Sequence, residues 1–278
     1  MNITIQHLDE QIKLDSASTF LATYLSWARK RRSYATYFPV ISYRGHSCST
    51  WPLLPSLCRL KLSVEMLKQI EGEVIQQFRD RFDLSVWTDT EVLAHARHHG
   101  APTRLLDWSR NPLIGLWFAI SDKEHDNIDG VIYQLEIPSK SEKISIGNCF
   151  KVERADNCPC KHPIHIFSSP SRIDRTHRQR SVFSVASFKG GFALRPLDEL
   201  LNQEMQTPIR KFLVPPGFKS ELRRLLSDLA LDAYSIYGDP DSFGKALGVH
   251  FDISDLNIQQ DVPTDSGDNQ HSRANSPT

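Results

Sequence analysis

The chain has no long apolar run. Its most apolar stretch, residues 113–120, is far shorter than the roughly 20 residues needed to cross a bilayer, so no membrane-spanning helix and no membrane partner are expected. Net charge is also missing: 33 Lys and Arg balance 33 Asp and Glu. No global field therefore draws the molecule to nucleic acid or anionic lipid, and a site for a polyanion has to be a local cluster. Residues 1–13 lack the basic start and apolar centre of a secretory signal. Cysteine is scarce, five in 278 residues, an odd number in a chain long enough to need no covalent staples. A cytoplasmic location with reduced thiols is the expectation. A Walker loop, G-x-G-x-x-G, H-E-x-x-H, G-x-S-x-G and kinase signatures are all absent. That leaves P-loop ATP hydrolysis, Rossmann hydride transfer, zinc proteolysis and α/β-hydrolase chemistry without their motifs. Metal-dependent nuclease action lacks support too, since no carboxylates stand at two-metal spacing. No repeat of fixed period occurs.

What is present suits a soluble globular domain: 40% hydrophobic and 24% charged residues, enough to bury a sizeable core. Apolar residues at helical spacing predict helices over 15–32, with Ser16 as cap, and over 63–82, with Ser63 as cap. A shorter helix over 89–99 is stopped by Gly100 with Pro102 beyond. Another starts at Asn111-Pro112, and its body, 113–120, is apolar on all sides and belongs in the core. Strands are predicted over 36–43, 131–137, 181–188 and 210–214, and two more helices over 218–231 and 241–247. Helices first, then short strands interleaved with helices, make an α+β fold. The expected organisation is a helical segment over 1–34, one domain of short mixed strands packed with helices over 35–256, and a disordered tail over 257–278, where apolar residues nearly vanish.

The stretch from Ala94 to Trp108 concentrates His, Thr, Arg, Asp and Trp in what reads as a sharp turn between two helices. Ordinary turns use small flexible residues instead. Arg44, at a strand end before Gly45, is placed to reach a phosphate or carboxylate with its planar fork, and Gly45 permits close approach. The plainer alternative is a structural ion pair of Arg44 with Asp107. Thr103, Arg104 and Asp107 could hold a ribose or phosphate, with Trp108 as a ring to stack on, or an Arg–Asp pair could simply lock the turn. His98 and His99 diverge on their helix, so His98 either faces a ligand or caps the last carbonyls. Cys158, Cys160, His162 and His165 offer four ligands in eight residues, but C-x-C-x-H-x-x-H matches no usual zinc spacing, and a metal-free loop is the expectation. Arg172 to Arg180 is the one basic cluster, either a phosphate grip or a solvated face.

Taken together, these motifs resemble the FRG domain, a family of bacteria and phages named for a Phe/Tyr-Arg-Gly triplet. Tyr43-Arg44-Gly45 matches the triplet, and Trp51-Pro52-Leu53 with Pro55-Ser56 and Arg59 matches the segment after it. His98 to Ser109 matches the central motif and Leu116-Trp117-Phe118-Ala119 its apolar helix. Arg172-Ile173 with Gln179 and Phe183 resembles the later motif. The resemblance covers roughly residues 35–250. Two departures stand out: Arg97 replaces a usual Gln, and Ser181 a usual Gly. The layout is also similar to NAD-dependent ADP-ribosyltransferases of the Arg-Ser-Glu type. That likeness implies an ADP-ribosyltransferase-like fold and NAD as substrate, with no metal. Arg44, Thr103, Asp107 and Gln179 would then be catalytic, and Tyr43, Gly45, His98, Arg104, Trp108 and Arg172 would bind the nucleotide. Gln179 would stand near the place of the missing Glu, with Asp107 supplying the carboxylate. The function so implied is an NAD-consuming transferase acting on an unnamed protein or nucleic-acid acceptor, as a bacterial toxin or antiphage effector. A non-catalytic nucleotide or nucleic-acid sensor is the alternative.

Overall fold

The structure, a computed structural model, describes residues 2–3, 12–13, 15–30, 40–137, 144–147, 164–168, 173–204 and 209–250. Two short strands, β1 (Asn2–Ile3) and β2 (Ile12–Lys13), pair with each other. Helix α1 (Ala17–Arg29) begins where Ser16 accepts from the Thr19 amide. Then come β3 (Val40–His46), α2 (Val64–Phe82), capped by Ser63, and α3 (Asp89–His98), opened by a capping box of Thr88 and Glu91. Helix α3 stops at Gly100, whose φ of 84° suits glycine. Strand β4 (Leu105–Ser109) and helix α4 (Pro112–Ile120) follow, the latter with Asn111 as cap and Pro112 at its first position. The rest is β5 (Gly130–Ile137), β6 (Ile144–Gly147), β7 (Ile164–Ser168), α5 (Asp174–Arg178), β8 (Ser181–Ala186), α6 (Leu197–Glu204), β9 (Arg210–Val214), α7 (Pro216–Asp228), α8 (Ala233–Tyr237) and α9 (Pro240–His250).

Seven strands form one sheet in the order β6-β7-β8-β4-β3-β5-β9. Neighbours run antiparallel except β6 with β7. Mixed strands with helices packed on them make the architecture α+β, as the order of elements predicts. The segment read as a turn between helices is instead the central strand β4. Its two faces are both buried, Leu105 among Phe167, Phe183 and Val185 on one side, Leu106 and Trp108 among Tyr133, Ile166 and Val182 on the other. Burial on both faces erases the polar alternation that marks a strand. The predicted tail and residues 36–39 of the first predicted strand lie outside the described residues. Strand β3 runs on through Arg44 to His46.

Helices α1, α4 and α7 share a core with Tyr43, Ile132, Phe212 and Val214 on one part of the sheet. Leu93 and Ala94 of α3 cover another part of the sheet. Helix α1 is tied to the sheet by a buried polar network. Tyr43 Oη and Gln134 Nε2 both donate to the Ala28 carbonyl, at 2.9 and 3.0 Å. The Arg210 guanidinium lies 4.5 Å from the Trp27 ring centroid and donates to the Trp27 carbonyl. These bonds satisfy the open carbonyls at the helix C-terminus.

One seam of the sheet is unlike the rest. Strand β3 is in register with β5 from Val40 to His46, and β4 with β8 along its whole length, but β3 and β4 share only the pair Tyr43 and Ser109. The sheet parts between them.

Candidate functional site

Arg44 lies in register with Tyr133, so its side chain starts on the sheet face that holds Tyr133 and His46. Helix α4 occupies the opposite face of β3. There Gly45 is indispensable: a Cβ would lie 2.1 Å from the Gly115 carbonyl oxygen and 2.4 Å from the Ala119 nitrogen. Tyr43 is bound to the end of α1, as described, so its hydroxyl is not free for a ligand. The triplet thus divides into an anchor, a functional cation and a notch for a helix.

The Arg44 guanidinium reaches through the parting. Its Nη1 donates to the Asp107 carbonyl at 2.7 Å and lies 3.5 Å from Asp107 Oδ2, while Nε donates to His46 Nε2 at 3.0 Å. Arg97, at the end of α3, donates from Nε to the same Oδ2 at 2.9 Å. Burial resists ionisation of Asp107, but Arg97 and Arg44 outweigh it and hold the carboxyl below its ordinary range. Asp107 Oδ1 is buried and, among the described residues, accepts no hydrogen bond.

These groups border a cavity of about 290 Å³. His98 enters it from α3. Burial, reinforced by Arg175 and Arg97 and opposed by Asp107, drives its pKa down to about 4, so the ring is neutral at pH 7. Its Nε2 is buried without a partner among the described residues. Arg175 comes from α5: Nη1 donates to the His98 carbonyl at 2.8 Å, its guanidinium carbon lies 4.0 Å from the centroid of the Tyr237 ring, and its buried Nε has no partner among the described residues. Gln179 also lines the cavity, with its carbonyl taking the Ser109 hydroxyl at 2.7 Å. Strands β3 and β4 and helices α3, α5 and α8 therefore each send polar groups to one hollow.

The expected site residues do not all meet there. Arg44, Asp107, His98 and Gln179 do, with Tyr43 and Gly45 forming wall. Trp108 borders the cavity through β4, but its indole is 2% exposed and donates to Ser184 Oγ at 2.9 Å, so no ligand stacks on it. Thr103 is fully buried, with Ser56 Oγ 3.3 Å from its amide. Arg104 is turned away as well, its Nε 2.8 Å from Glu71 Oε2 and its guanidinium carbon 4.4 Å from the Phe188 ring centroid. Arg104 stands in the bend before β4 and is held by Glu71, apart from Asp107 within the strand. Arg172, Cys158, Cys160 and His162 lie outside the described residues. His165 is 1% exposed within β7.

Arg97, Arg175, Ser109 and Tyr237 line the cavity too; of these only Arg175, within the Arg172–Arg180 cluster, was among the groups read as a phosphate grip. For Arg175 a signal was present: it precedes Gln179 by four residues, the spacing that puts two side chains on one helical face. Tyr237 carried none, being a single aromatic residue before Gly238.

An α+β protein with a cation-rich cavity at a parting of its sheet is the class that fold and site define. Residues 40–128 match the FRG domain family, and the chain carries an FRG domain over that stretch. The match spans β3 through α4 and so includes Arg44, Arg97, His98 and Asp107, whereas Arg175, Gln179 and Tyr237 lie beyond it. Searches of curated proteins and of solved structures returned no match.

Proposed function

We propose that the chain is an NAD-consuming enzyme of the ADP-ribosyltransferase kind, acting at the cavity between β3 and β4. The observation that carries this reading is the meeting of Arg44, Arg97 and Arg175 with one ionised carboxylate, Asp107, whose Oδ1 is unengaged among the described residues. Three guanidinium groups against one carboxylate leave a surplus of positive charge, which a pyrophosphate would neutralise through charge-assisted hydrogen bonds. The carboxylate serves the other end of such a ligand. When the bond between ribose C1′ and the nicotinamide nitrogen breaks, its electron pair leaves with nicotinamide and positive charge collects on the ribose. A fixed carboxylate beside that carbon lowers the energy of the charged state. A nucleophile of the acceptor then adds to C1′ and gives up a proton; with water instead, the outcome is hydrolysis. His98 is in the form that can accept that proton. Gln179 suits a ribose hydroxyl. A macromolecular acceptor would make the chain an effector of the toxin or antiphage type.

The test is nicotinamide release from NAD by the purified chain, alone and with cell extract, together with transfer of label from the adenylate half to a macromolecule. Arg44→Ala and Asp107→Asn are each expected to lower release by roughly 100-fold or more, the usual loss when one group that stabilises a transition state is removed. Silence in both settings overturns the proposal.

One observation favours a second reading, a nucleotide sensor without turnover. Asp107 Oδ2 is already shared between Arg97 and Arg44, so part of its charge is neutralised before a ligand arrives. Stabilisation of the chain by ADP-ribose with no nicotinamide released would decide for that reading.

A further inference from the structure

Tyr237 lines the arginine cavity and also a second, larger one of about 520 Å³. Its ring meets the Arg175 guanidinium of the first hollow, 4.0 Å from the centroid, and the indole of Trp117 in the second, edge to face at 5.5 Å. The two hollows therefore share a wall one aromatic ring thick. Their chemistry differs. The first is cationic and polar; the second has Trp117, Leu231, Ala233 and Ala246 among its lining, with Lys123 and Lys245 beside Asp122 and Asp232 at its border. At about 290 Å³ the first lies at the small end of ligand sites and holds half a dinucleotide, not a whole one.

We infer that the second cavity is a nucleobase subsite, so that one ligand spans Tyr237 with a nucleotide half on either side. The inference rests on the NAD-consuming reading and adds to it where the adenosine goes. The phosphate and ribose next to nicotinamide sit among Arg44, Arg175 and Asp107. The pyrophosphate passes the edge of Tyr237, and the purine lies against Trp117 in the apolar part of the second cavity. An aromatic floor suits a flat base, and the mixed border offers ammonium groups to a phosphate and carboxylates to hydroxyl or amine donors. The ligand class so named is a dinucleotide or a nucleoside diphosphate sugar with an aromatic base, in preference to a mononucleotide.

Gly248 provides a clean test. It lies on α9 and lines the second cavity, and a Cβ built there meets nothing within 4 Å, so a larger side chain fills the hollow without moving backbone. Replacing a helical glycine also favours the helix. With the full chain, Gly248→Leu is expected to weaken ADP-ribose binding about tenfold or more by calorimetry and to leave nicotinamide mononucleotide binding unchanged. Lys245→Glu, a change on an exposed position, is expected to weaken ADP-ribose binding in the same selective way. Equal binding of ADP-ribose by Gly248→Leu and the parent chain overturns the inference, as does parent binding of the mononucleotide as tight as that of ADP-ribose. If mononucleotide binding depends on Arg44 while both second-cavity variants behave like the parent, only the subsite falls. If neither ligand binds, the underlying reading falls with it.

Discussion

At position 45 there is no space for a methyl group. The nearest atoms are backbone of α4, at 2.1 and 2.4 Å from where a Cβ would lie, and backbone cannot rotate aside as a long side chain can. Gly45→Ala is expected to destabilise the chain by about 3 kcal/mol or more, the range of severe overpacking, measured as a shifted urea midpoint. A stability equal to the parent's would mean that α4 yields, and the account of the notch would fail. At this scale the sequence was partly readable. Arg44 and His98 could be picked out as charged groups near a glycine, Asp107 from the concentration of polar groups before Trp108, and Gln179 from the family resemblance. Thr103, Arg104 and Trp108 were grouped with them by nearness in the chain, but Trp108 leaves β4 on the face opposite Asp107, and Thr103 and Arg104 precede the strand and are buried beside Ser56 and Glu71. Arg104 meets Glu71, 33 residues earlier, and no local pattern announces such a partner.

Among the elements, α7 is fixed by one unusual group. Lys219 is completely buried, and its Nζ donates to the carbonyls of Ser47 and His125 at 2.7 Å each. Burial lowers its pKa, and Asp126 works against that shift. The ammonium joins the loop after β3 to the loop before β5 by bonding a carbonyl of each. Lys219→Met keeps the volume but removes both bonds, leaving the His125 carbonyl with the Ile128 amide alone, at a cost of about 1–3 kcal/mol. Thermal unfolding of the variant checks this, and an unchanged Tm would show that water replaces the ammonium. Helices were the elements best read from sequence: Ser16, Ser63 and Asn111 cap where capping residues were expected. Strand β4 was hidden because it is buried on both faces. Strand β7 was hidden too, a short run beyond two prolines and two cysteines that drew attention to metal instead. The parting between β3 and β4 depends on how far two strands stay in register, and side-chain pattern carries little of that.

For the molecule as a whole, zero net charge conceals a local surplus. The cluster of guanidinium groups suppresses protonation nearby. Burial, with Arg44 and Arg59 adding to it, lowers His46 to about 2, and His98 falls to about 4. Both lie below the unfolded value near 6.5, so the unfolded chain takes up protons first as pH falls. Above about pH 6.5 neither histidine affects stability. Between about 6.5 and 4 each withdraws stability progressively, about 2 kcal/mol apiece by pH 5. Urea midpoints at pH 7.5 and pH 5 should record this loss, and His98→Gln should remove roughly half of it. A midpoint that rises on acidification would contradict the buried, neutral histidines.

The parted seam also divides the labour of the molecule. Arg44 and Asp107 ride on neighbouring strands of a seven-stranded sheet, which holds their spacing, while Arg97, Arg175 and Tyr237 stand on separate helices around the opening. Exchanging those helical side chains could redirect the hollow to another anion and leave the central pair untouched. Natural variation among proteins of this build should therefore gather at the opening and spare the seam.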